Sequence, residues 1–210
     1  MLLDNKTHGK VADELRRSIE PESKLAILTG FFTVYGFAAL KGELSKIDNL
    51  RLLLADREAT LPIRLAGNAD EIGLKNELNL QHIATECAQW VRKKAEVRSL
   101  SGAPIRQNLF HVSQPDGDAV AISGTSDLTA PGLGTVQSSA FAMNTVATDR
   151  AAAQQLIDWF DTIWNDPTAI IQAKETLLQA LENLAADKPA NLLYFLTLFT
   201  IFRDFLDDID

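Results

Sequence analysis

The residues best placed by type and spacing to do chemistry lie within 108–134, NLFHVSQPDGDAVAISGTSDLTAPGLG. An apolar run bearing His111 precedes a second run that opens into Gly124, Thr125, Ser126 and Asp127. Side chains alternate along a strand, so His111 and Ser113 share one side. The backbone donors and hydroxyls of a Gly-Thr-Ser turn are expected beside them, in one pocket on which two adjacent strands converge. An imidazole next to such donors can attack or bind a phosphate. The plainer reading, a histidine held by structural hydrogen bonds, is the one these residues favour by themselves.

Such a pocket needs a scaffold. The chain has 210 residues, 46% hydrophobic and 23% charged, enough for a core without disulfides or structural metal. Cys87 is the single cysteine, which excludes an internal disulfide. No Cys/His cluster has zinc spacing, so neither metal nor cofactor is implied and a reducing, cytoplasmic compartment is expected. The opening MLLDNKTHGK lacks a signal-peptide apolar stretch, and the apolar-rich run 190–202 falls short of the roughly 18 residues of a spanning helix. No membrane association is expected. A net charge of −8 opposes non-specific binding to nucleic acid by the whole surface but leaves room for a local basic patch.

Apolar spacing predicts a helix over 8–20, stopped by Pro21, then strand 24–29, helix 36–46 and strand 49–55, a βαβ unit with a parallel pair. Residues 57–73 read as a long surface excursion. A helix over 76–95 ends in Arg92, Lys93 and Lys94, cations that suit a helix C-terminus. Strand-like runs follow at 96–100, 107–113, 118–123 and 138–146, then a helix capped by Thr148 or Asp149 and stopped at 165–167. The expectation is an α/β fold, a mixed and mostly parallel sheet of six or more strands flanked by helices. Residues 1–165 form that domain and 166–210 a helical extension or connector. Its last helix is apolar around nearly its whole circumference, so the sheet domain, a second copy or a further domain must cover it.

The segment 111–127 resembles the HxK(x)4D and GSxN motifs of the phospholipase D superfamily. His111 is followed by Ser113 in place of the lysine, by Asp118 at the conserved spacing, and by Gly124-Thr125-Ser126-Asp127 in place of GSxN. LTAPGLG at 128–134 resembles the family's continuation and AILTGFFTVYGFAAL at 26–40 its opening, so the likeness covers most of 1–165. WFDTIWND at 159–166 and the run 189–208 resemble the stretch before the motor in bacterial Swi/Snf-like helicases that carry an N-terminal phospholipase D-like domain.

The resemblance implies a phospholipase D-like fold and, in active members, two motifs that meet without metal. One histidine becomes a phosphohistidine and the other protonates the leaving group, while lysine and asparagine hold the phosphate oxygens. One motif per chain then implies a homodimer with a composite pocket. Ser113 removes the cation, Asp127 adds negative charge, and Ala140 and Ala142 stand where relatives carry polar residues. The expectation is therefore a catalytically degenerate domain that dimerises and positions or regulates a helicase motor, in cis or in trans, on DNA. The alternative is a metal-independent phosphodiesterase or nuclease acting through a phosphohistidine at the dimer interface, with Lys24, Arg98 or Arg106 as substitute cation. A third reading makes the degenerate site filler at an interface. Arg92, Lys93, Lys94, Arg98 and Arg106 form a candidate nucleic-acid patch, for backbone contact because no aromatics are interleaved with them.

Overall fold

Near-continuous apolar runs such as KLAILT and NLRLLL mark strands buried on both faces. The computed structural model describes residues 1–55, 65–67, 70–71, 77–101 and 107–186. It contains β1 (Leu2–Leu3), α1 (Val11–Ser18), β2 (Lys24–Thr29), α2 (Val34–Leu44), β3 (Asn49–Leu54) and α3 (Glu77–Lys94). After these come β4 (Ala95–Leu100), β5 (Asn108–Ser113), β6 (Ala119–Gly124), β7 (Asn144–Ala147), α4 (Arg150–Trp164), β8 (Ile170–Gln172) and α5 (Lys174–Ala185). The strands form one sheet in the order β1-β7-β6-β5-β2-β3-β4-β8.

Only β2–β3 and β3–β4 are parallel, and the other pairs are antiparallel. The sheet is mixed, as expected, but it is mostly antiparallel, which overturns the mostly parallel expectation. Parallel neighbours need a crossover of a dozen or more residues. Helices α2 and α3 supply two such crossovers, whereas residues 114–118 join β5 to β6 as a hairpin. The short β1 and β8 form the edges. Residues 138–143, expected as strand, precede β7 without joining the sheet.

One face, with Leu25, Ile27, Leu52, Phe110 and Val112, packs on α1, α2, α3 and α5. The other, with Ala26, Leu28, Leu53, Leu109 and Ala121, packs on Ala153, Ile157, Phe160 and Trp164 of α4. Cys87 is buried in the first core as a free thiol, and burial pushes its pKa up. Within the expected helical extension or connector, β8 joins the sheet beside β4 and α5 packs on α3. The expected final helix and most of the 57–73 excursion lie outside the described residues. Among those described, no helix is long and apolar enough to cross a membrane.

Candidate functional site

The register of the β5–β6 hairpin decides which side chains meet. Asn108 pairs with Gly124, His111 with Ala121 and Ser113 with Ala119. His111 therefore sits three residues along β5 from the turn, roughly 10 Å away, and an odd separation puts it on the other face. The expected single pocket of His111, Ser113 and the Gly124–Asp127 turn is not assembled. Asp118 is farther still, exposed at the hairpin end where its N–H is held by Asp116 Oδ1 at 3.0 Å.

Asn108 is the β5 side chain that meets the turn. Its Nδ2 donates to Asp127 Oδ1 at 3.1 Å, and its Oδ1 accepts from the Gly30 N–H at 2.9 Å. The Phe31 N–H donates to the same Asp127 oxygen at 3.0 Å, and Thr29 Oγ1 approaches it at 3.4 Å. Burial pushes the Asp127 carboxyl above its ordinary pKa, while the Phe31 N–H, the Asn108 amide and the other donors work against that rise. Donors that would suit a phosphate oxygen are thus taken by a carboxylate of the protein itself.

Polar side chains from distant elements lock this end of the sheet. Asn5 Nδ2 donates to Ser126 Oγ at 3.1 Å and to the Gly132 carbonyl at 2.7 Å. Asn144 Nδ2 donates to Ser126 Oγ at 2.9 Å, and its Oδ1 accepts from the Ser126 N–H at 3.0 Å. Buried Glu71 accepts from Thr33 Oγ1 at 2.9 Å and from the Ala130 N–H at 2.8 Å. Thr33 in turn caps α2 by accepting from the Gly36 N–H at 3.1 Å. A cavity of about 280 Å³ opens beside the turn, lined by Thr125, Asp127, Asp4, Asp70, Lys6 and Phe141 among others. Its acids outnumber its cation, which disfavours a phosphodiester there.

No family model matches the chain, and no curated protein matches it. Among solved structures the chain is similar to TrmBL2, described as an archaeal chromatin protein with a novel mode of DNA binding. The two are 13% identical with a TM-score of 0.42, over 80% of this chain and 52% of TrmBL2. The chain thus spans about half the length of TrmBL2, and a likeness this distant carries neither fold nor function across.

The candidate nucleic-acid cations are largely engaged within the fold. Arg92 pairs with Glu182, Lys94 Nζ donates to the Ile47 carbonyl, and Arg98 donates to the Trp164 carbonyl while lying over the Trp164 ring. Lys93 is exposed, and Arg106 lies outside the described residues. By sequence none of Asn5, Asn108, Asn144, Thr29 and Glu71 is a candidate site residue, yet they hold this end of the sheet. Their signal is a short polar side chain beside an apolar run, which becomes informative only once the pairing is known.

His111 is 2% exposed, and its Nε2 has no hydrogen-bond partner. Its Nδ1 lies 3.4 Å from Ser113 Oγ. Burial pushes the imidazole pKa down; the Ala153 backbone and Asp161 act in the opposite direction, and Arg51 acts with burial. A base with a lowered folded pKa binds fewer protons folded than unfolded, so stability rises with pH through that window. Its contribution is complete above the unfolded value of 6.5 and is lost as pH falls from there towards the folded pKa. Denaturant titrations are expected to show a slope of up to about 1.4 kcal/mol per pH unit below about pH 6.5 and a plateau above it. His111→Leu flattens that slope, and an unchanged slope in the variant would assign the titration to another group.

Proposed function

We propose that this chain is a phospholipase D-like assembly module that does not turn over phosphodiesters. In this reading it works as a homodimer and positions or regulates a helicase-type motor. The observation that carries the reading is Asp127, whose carboxylate takes the Phe31 N–H and the Asn108 amide. The turn then has no histidine beside it and no free set of donors for a phosphate, while the residue two along from Asn108 on the same face is the core residue Phe110. Covalent catalysis requires a nucleophile within reach of the reacting phosphorus, and Asn108 is not one.

Assembly is supported by exposed apolar side chains around the same end of the sheet. Phe141 is 93% exposed and lines the cavity at the turn, Met143 is bonded through its backbone to Thr125, and Phe31 adjoins Asp127. Leu2 is exposed on β1, opposite Thr145. Apolar groups collected in this way mark protein contact surfaces more often than nucleic-acid ones. With Arg92, Lys94 and Arg98 engaged in the fold, the reading gives DNA contact to the motor and protein contact to this module. Sedimentation is expected to show self-association, weakened about tenfold or more by Phe141→Ser, because a buried Phe contributes about 1.5–3 kcal/mol. A monomer across the accessible concentration range would overturn the homodimer.

A further inference from the structure

The cavity that His111 lines is separate from the turn and lies at the opposite end of β5, between the sheet and α4. Its volume is about 230 Å³. Pairing register explains why it exists. Ala26 stands between Arg51 on β3 and His111 on β5, both its direct partners. Lys24, two residues earlier on the same face, pairs with Asn49 and Ser113. Direct cross-strand neighbours are about 5 Å apart and diagonal ones about 7–8 Å, so the Ala26 methyl leaves a hollow ringed by longer polar side chains. Ile157 of α4 forms its far wall.

The groups around this hollow have unused donors. Among the described residues the Lys24 ammonium has no ion-pair or hydrogen-bond partner. The Arg51 guanidinium uses one nitrogen on Asp161 at 2.6 Å and lies over the Phe160 ring at 5.1 Å, which fixes its position. Glu96, the Arg51 register partner, is the acid at the rim, and Asp161 is the acid on α4. The His111 Nε2 is enclosed beneath α4, where the Ala153 backbone acts on the ring. The donors open to the hollow are therefore the Lys24 ammonium, the Ser113 hydroxyl and the Arg51 nitrogens not used on Asp161, and cations without a full set of acceptors ask for an anion.

We propose that this cavity binds a small oxyanion, a phosphate or carboxylate group, seated over Ala26 between Arg51 and His111, with Lys24 and Ser113 closing its mouth. The site is independent of the turn at Gly124 and does not rest on the assembly reading. The test is titration of the whole chain with inorganic phosphate and, separately, with acetate, followed by calorimetry and by the His111 imidazole resonances. One or both anions are expected to shift those resonances saturably. Response to phosphate alone, acetate alone or both would identify the group as phosphate, carboxylate or either. Lys24→Gln, a substitution at an exposed position, is expected to weaken binding about tenfold or more through loss of a charge-assisted hydrogen bond. Silence of the His111 resonances towards both anions, or an affinity unchanged in Lys24→Gln, would overturn the site.

Discussion

Phe110→Lys is expected to cost more than about 4 kcal/mol and to lower the melting temperature by at least about 8 °C, if the variant folds at all. Phe110 lies two residues along β5 from Asn108, on the face that meets the turn, where a His-x-Lys pair would have to place its lysine. It is 2% exposed and belongs to the core shared with Leu25, Ile27 and Ile122. Truncating a buried Phe to Ala costs about 3–5 kcal/mol, and an unpaired ammonium adds the penalty of a desolvated charge. Phe110→Leu, which keeps the position apolar, serves as the control and should cost far less. Comparison of the two by denaturant unfolding tests whether this position is sealed into the core and closed to a lysine. A Phe110→Lys protein that melts within a few degrees of the wild type would mean that this position is open to the turn.

The second large effect reverses the usual sign of a helix substitution. Gly36 lies inside α2, where replacing Gly with Ala ordinarily stabilises by up to about 1 kcal/mol. A Cβ at Gly36 would stand 2.3 Å from the Leu128 carbonyl oxygen and 2.9 Å from the Thr129 nitrogen. These are backbone atoms with little freedom to move. Leu128 N donates to Thr29 Oγ1 at 3.0 Å, and the Leu128 carbonyl accepts from the Thr33 N–H at 3.2 Å. Overpacking against such atoms reaches about 3 kcal/mol, so Gly36→Ala is expected to destabilise by about 2 kcal/mol net. Gly42, in the same helix, has nothing within 4 Å of a built Cβ, so Gly42→Ala should stabilise. Equal melting shifts in the two variants would contradict the close approach of α2 to the loop that carries the Gly124 turn.

Both variants probe features of unequal legibility in the sequence. The βαβ unit was readable because KLAILT and NLRLLL are apolar runs separated by a helix-length segment, and β2, α2 and β3 stand where those runs predict. Extending that parallel pair to the whole sheet failed because the β5–β6 hairpin dictates antiparallel pairing, which apolar periodicity does not encode. Leu2–Leu3 and Ile170–Gln172 are too short to produce a period, so both edge strands were missed. The candidate site was legible only in part. Spacing marks 124–127 as a turn, and Asp127 there is half-buried in a polar network that the spacing does not foretell. Which β5 residue faces that turn depends on the hairpin register, which puts Asn108 there, whereas motif spacing points to His111. Asn5 and Ser126 lie 121 positions apart, and no local pattern links them.

The most direct test of the account is hydrolysis of a chromogenic phosphodiester and of single- and double-stranded DNA in excess chelator, by the wild type and by His111→Ala. Asp127 occupies the donors at the turn and His111 is buried beneath α4, so the account predicts the same absence of turnover in both proteins. Chelator-resistant hydrolysis by the wild type that disappears in His111→Ala would contradict it, making His111 a nucleophile and the module an enzyme.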